Sequence, residues 1–114
     1  MITIYHNSRC SKSRNGVTYL QNKGVEFKIR QYLDEPLSFD ELKALIAKTG
    51  LTPEEIVRKE EEYYKQNLKG KTLTDYEWIA EMVKEPRLIQ RPIVERGDEA
   101  VLARPTEEID KLID

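Results

Sequence analysis

Two short strand-like segments stand on either side of a helical stretch at the start of the chain, and this limits the fold more than any other feature. Ile2 to Tyr5 are β-branched and aromatic. Turn-forming residues follow, then a pattern that places Val17 and Leu20 on one helix face, with Gly24 as the stop. Val25, Phe27 and Ile29 next alternate with Glu26, Lys28 and Arg30, the period of a strand with one face covered. Strand, helix and strand in so little chain predict a βαβ unit with a right-handed crossover.

The middle of the chain changes character. Ser38 with Glu41, Thr52 with Pro53 and Glu55, and Thr74 with Glu77 each match a capping box. The first is followed by apolar Phe39, Leu42, Leu45 and Ile46, the third by Trp78, Ile79, Met82 and Val83. Three short helices are predicted, punctuated by Gly50, Gly70 and Pro86. The segment K-E-E-E-Y-Y-K reads as a solvated helix face with Tyr63 or Tyr64 turned inward. After Pro92, the runs Ile93 to Glu95 and Glu99 to Leu102 flank Gly97-Asp98 as a hairpin. Thr106 is expected to cap a last helix carrying Ile109, Leu112 and Ile113, with Glu107 and Glu108 in its first turn. The order β-α-β, a helical insertion over about residues 37–86, then β-β-α predicts an α/β domain spanning 1–114 and built on a four-stranded mixed sheet.

At 114 residues such a chain can bury a core without staples. A formal net charge of -2 and the lack of a basic arm argue against a nucleic-acid role. No apolar run approaches a membrane span, so no membrane association is expected. Nothing at the start resembles a secretory signal, and a cytoplasmic location is expected.

Cys10 is the single cysteine and His6 the single histidine, too few for a zinc or iron–sulfur site, so no metal is expected. Cys10 falls where the first strand hands over to the first helix. Unpaired N–H groups of that helix can point at its sulfur, and His6, Arg9, Lys12 and Arg14 are near in sequence, both of which favour a thiolate. In C-S-K-S the place of a resolving cysteine is taken by Ser13, so an outside thiol must resolve any oxidised form of Cys10. A phosphatase loop is ruled out because Gly16 stands where its arginine would be. Ser11 and Ser13 are either helix caps or donors to the sulfur or a bound oxyanion. His6 is either a structural loop residue or a proton shuttle.

The run I-T-I-Y-H-N-S-R-C-S-K-S-R-N resembles the active-site segment of the glutaredoxin-coupled arsenate reductases, the ArsC family. I-V-R-K around Arg58, R-P-I-V at Arg91 to Val94 and A-R-P-T at Ala103 to Thr106 extend the resemblance along the chain. It implies a thioredoxin-like fold with a helical insertion, in which Pro92 is a cis-proline facing the cysteine. It also implies that Cys10 is the nucleophile, that His6 lies near the thiol, and that Arg58, Arg91 and Arg104 bind arsenate. Guanidinium groups suit that task, because they offer fixed donors to a tetrahedral oxyanion. Ser11, Ser13, Arg14 and Pro92 would support them. No tightly bound cofactor is implied; glutathione is the expected cosubstrate and glutaredoxin the expected partner. Two alternatives remain. Spx-type regulators, which bind RNA polymerase, share the fold, but many carry C-x-x-C and they lack an arginine at the position of Arg104. A general thiol-disulfide oxidoreductase would not need all three arginines.

Overall fold

A computed structural model of the protein describes residues 1–113. The described residues divide into two compact units, the first made of residues 1–35 and 91–113, the second of Pro36–Gln90.

The first unit is a four-stranded mixed sheet with helices. Its elements are β1 (Ile2–Tyr5), α1 (Ser11–Lys23), β2 (Phe27–Arg30), β3 (Ile93–Arg96) and β4 (Glu99–Leu102), followed by a 3-10 turn (Thr106–Ile109) that runs into a short helix, Asp110–Ile113. The strand order is β2-β1-β3-β4. β1 runs parallel to β2, with Ile4 opposite Ile29, and antiparallel to β3, with Ile4 opposite Val94. Ile2, Ile4 and Val94 project from the sheet into a core closed by Leu20 of α1 and by Ala103, Ile109 and Leu112 of the final segment. Each such aliphatic side chain, fully buried, contributes about 1.5–3 kcal/mol. The Tyr19 hydroxyl donates to Asp110 Oδ1 at 2.7 Å and Arg96 Nη1 donates to the Leu112 carbonyl at 2.8 Å, tying the last helix to α1 and to β3.

The start of α1 sits close to the sheet because of Gly16. A Cβ there would lie 3.0 Å from Pro92 Cγ and 3.1 Å from Ile4 Cδ1. Glycine inside a helix costs about 1 kcal/mol relative to alanine, and here it permits this approach. The Arg91–Pro92 and Arg104–Pro105 peptide bonds are both cis.

The second unit holds α2 (Phe39–Thr49), α3 (Pro53–Ile56), α4 (Glu62–Asn67), α5 (Asp75–Lys84) and a 3-10 turn at Pro86–Leu88. All three anticipated capping boxes form, with both reciprocal hydrogen bonds at Ser38/Glu41, Thr52/Glu55 and Thr74/Glu77. Leu42, Leu45, Ile46, Ile56, Trp78, Ile79 and Met82 are buried.

The acidic, tyrosine-bearing segment forms α4, the solvated helix expected there, with Tyr63 and Tyr64 half-buried and no side-chain cap. Two expectations are corrected, at Ile29 and at Thr106. Ile29, expected on a covered face, is 45% exposed, because β2 is an edge strand with a neighbour on one side only. Thr106 does not cap the last helix; Pro105 holds the cap position and the Glu108 N–H bonds its carbonyl, so the segment opens as a 3-10 turn. Among the described residues, no helix is long and apolar enough to cross a membrane.

The tight packing at Gly16 can be tested by substitution. Gly16→Ala should be near neutral, because the gain in helix propensity offsets a tight but tolerable contact. Gly16→Val should lower stability by about 1–3 kcal/mol, as overpacking against a proline ring and a buried methyl does. Urea denaturation of the two variants measures the difference.

Candidate active site

Cys10 is the N-cap of α1, with extended backbone angles (φ -99, ψ 124), and is half-buried. From this position the Lys12 and Ser13 backbone N–H groups reach its sulfur, and the Arg91 guanidinium hydrogen-bonds it as well. The first turn of α1 carries no acidic residue to oppose a negative charge. Burial alone would raise the thiol pKa. The Ser13 N–H, the Arg91 hydrogen bond and charge, and the Lys12 N–H more than reverse that, and hold the thiol below its ordinary value.

The loop before Cys10 owes its shape to Ser13, whose side chain is wholly buried. Ser13 Oγ lies 2.6 Å from His6 Nδ1 and accepts the Asn7 N–H at 3.0 Å. Asn7 in turn accepts the Arg9 N–H on its Oδ1 at 3.0 Å, and its carbonyl accepts the Cys10 N–H at 3.0 Å. Arg14 Nη1 donates to the Ser8 carbonyl at 3.0 Å, and the His6 N–H donates to the Arg30 carbonyl at 2.9 Å. Burial, together with the positive charge of Arg14, lowers the His6 pKa from its ordinary value of 6.5, so the imidazole is neutral at pH 7.

The structure therefore brings Cys10, His6, Ser13, Arg14 and Arg91 into one region. Pro92, next to Arg91, is the residue that Gly16 of α1 packs against. Ser11 is exposed. Arg104 is exposed just before cis Pro105, and its backbone N–H donates to the Leu102 carbonyl at 2.8 Å. Arg58 belongs to the second unit, just after α3; its N–H donates to the Leu88 carbonyl at 2.7 Å and its Nη1 to Glu61 Oε2 at 3.0 Å. Sequence reasoning missed Asn7. The signal was an asparagine in a turn-rich run, whose side chain commonly accepts the N–H two residues on. Among the described residues, no group of three or more His, Cys, Asp and Glu side chains could hold a metal ion.

A mixed sheet whose first strand delivers a cysteine to a helix start, beside a cis-proline, defines a thioredoxin-like α/β protein with an activated thiol. The solved structure of an arsenate reductase from Vibrio cholerae has this fold, with a TM-score of 0.91 at 38% identity, covering 96% of this chain and 95% of that one. An arsenate reductase of Escherichia coli is 43% identical over 107 residues, 93% of this chain and 76% of that protein. An arsenate reductase of Haemophilus influenzae is 37% identical over 110 residues, 95% of each chain. Residues 5–112 match the ArsC family, and the chain belongs to it.

Alkylation of Cys10 as a function of pH should titrate with a midpoint below that of free cysteine, about 8.5, and Arg91→Ala should move the midpoint upward. Because the folded value is depressed, the thiolate's contribution to stability is complete above the unfolded pKa and is lost as pH falls through the folded one. Ser13→Ala leaves the buried Asn7 N–H without its acceptor and should cost about 1–3 kcal/mol of stability, measured by denaturant titration.

Proposed function

We propose that the protein is an arsenate reductase that uses Cys10 as its nucleophile and takes its electrons from glutathione and glutaredoxin. The observation that carries this reading is the Arg91 guanidinium hydrogen-bonded to a thiol whose pKa is lowered at the start of α1. The same donors that favour a thiolate also suit the charge on an oxyanion attacked by that sulfur. Kinship with proteins named arsenate reductase supports the substrate.

In the proposed reaction the Cys10 sulfur bonds to arsenic and one arsenate oxygen leaves as water after taking up protons. Arg91 and Arg104 balance charge on the remaining oxygens. A glutathione thiolate then attacks Cys10 Sγ. The new sulfur–sulfur bond forms as the sulfur–arsenic bond breaks with its electron pair on arsenic, which passes from the pentavalent to the trivalent state and departs as arsenite. A glutaredoxin thiol takes the glutathionyl group from the mixed disulfide and restores Cys10. The chain has no second cysteine, so it has no resolving thiol of its own. The reducing thiols this cycle consumes fit a cytoplasmic setting. Phosphate has similar shape and charge, and arsenic's reducibility supplies the discrimination.

A steady-state arsenate assay that omits glutathione and glutaredoxin in turn tests the scheme. Each omission and Cys10→Ser should abolish turnover; undiminished rates without any thiol would overturn it. Arg104→Ala should remove a charge-assisted contact of about 1.5–3 kcal/mol and so lower kcat/KM by about one to two decades, with little change in thermal stability. Arg104→Lys should recover part of the loss, because an ammonium keeps the charge without the planar fork.

A further inference from the structure

His6 has a side that the loop around Cys10 does not use. Ser13 is wholly buried, so its hydroxyl must donate inside the protein, and its one acceptor among the described residues is His6 Nδ1, 2.6 Å away. A neutral imidazole that accepts at Nδ1 carries its hydrogen on Nε2. His6 is only 7% exposed, yet nothing among the described residues accepts from that Nε2–H.

His6 lines a cavity of about 220 Å³ together with Arg9, Gln31, Leu33 and Asp34, all within the first unit. The Asp34 N–H donates to the Gln31 carbonyl at 3.0 Å, a turn after β2 that fixes where the acid stands. The Arg9 guanidinium and the Asp34 carboxylate wall the same space, but neither has an ion-pair or hydrogen-bond partner among the described residues, each other included. Two opposite charges that share a cavity without pairing, beside a buried neutral donor, suit a group that carries both charges on one carbon. The volume falls below the roughly 300–1,000 Å³ that holds a whole drug-sized ligand, so it suits one end of a larger molecule.

We infer that this cavity binds the α-amino-acid end of the thiol cosubstrate, the γ-glutamyl group of glutathione, with its carboxylate on Arg9 and the His6 Nε2–H and its ammonium on Asp34. The glycine end of the tripeptide has a carboxylate but no ammonium, and would leave Asp34 unmatched. The location agrees: Arg9 directly precedes Cys10, and Asn7, in the same wall, holds the Cys10 N–H through its carbonyl. A tripeptide anchored here by its first residue carries its thiol on the second, beside that loop. His6 then positions the thiol rather than shuttling a proton. This rests on the reading of glutathione as the cosubstrate.

The test compares glutathione with its deaminated analogue, glutaryl-cysteinylglycine, as cosubstrates of the full chain. Asp34→Asn should raise KM for glutathione about two- to fivefold, the range of an exposed ion pair, and leave KM for the analogue where it was; Arg9→Gln should raise both. S-methylglutathione, whose blocked thiol cannot react, should shift the His6 Nε2 resonance in nitrogen NMR of the unaltered protein, and S-methylcysteinylglycine, which lacks the γ-glutamyl group, should not. Equal losses for both cosubstrates in Asp34→Asn would give Asp34 a merely structural role, and unchanged KM values or an unmoved His6 resonance would show that the cavity does not hold the cosubstrate; each overturns the inference while turnover still requires glutathione. Turnover that proceeds without glutathione removes the cosubstrate reading itself, and the inference falls with it.

Discussion

A serine hydroxyl with no solvent contact must find its hydrogen bonds inside the protein, and Ser13 finds them in the loop that precedes its own helix. By bonding His6 and the Asn7 N–H it folds residues 6–9 back over the first turn of α1. The Asn7 carbonyl is then placed to take the Cys10 N–H, which leaves Cys10 at the cap position with its sulfur toward the Lys12 and Ser13 N–H groups. The thiol's environment is thus a consequence of one buried polar group being satisfied.

The electrostatics at Cys10 are a contest in which burial opposes the thiolate and three groups of donors favour it. Two of these come from the helix and are supplied whenever α1 forms. The third, Arg91, arrives from a segment distant in sequence, just before β3, the strand that pairs with β1. Arg91 is 9% exposed, and its charge acts with little screening, where an exposed lysine would contribute less. The neighbouring His6 is kept neutral, so the positive charge at the sulfur comes from guanidinium rather than imidazolium.

Much of the fold was legible because its signals are local. A capping box joins residues three apart, and all three formed as read. The failures are places where position in the whole structure decides. Ile29 alternates correctly but lies on an edge strand, and Pro105, not Thr106, takes the cap position. At the site, the cysteine at a strand-to-helix junction was readable from pattern alone. The bonds of the Ser13 side chain to His6 and to the Asn7 N–H, neither a helix cap nor a contact with the sulfur, were not, because the loop's path brings His6 and Asn7 to it. Arg91 reached the candidate set through resemblance, since no local pattern links a residue so far along the chain to Cys10.

Gly16 has a meaning for the protein before it is finished. The helix bearing Cys10 meets Pro92 with no side chain between them, so the sulfur and the arginine next to that proline are assembled from segments synthesised at opposite ends of the chain. A ribosome-bound or half-folded chain has the cysteine but not yet the guanidinium beside it. Until the later segment arrives, Cys10 lacks the Arg91 hydrogen bond and charge that help lower its pKa.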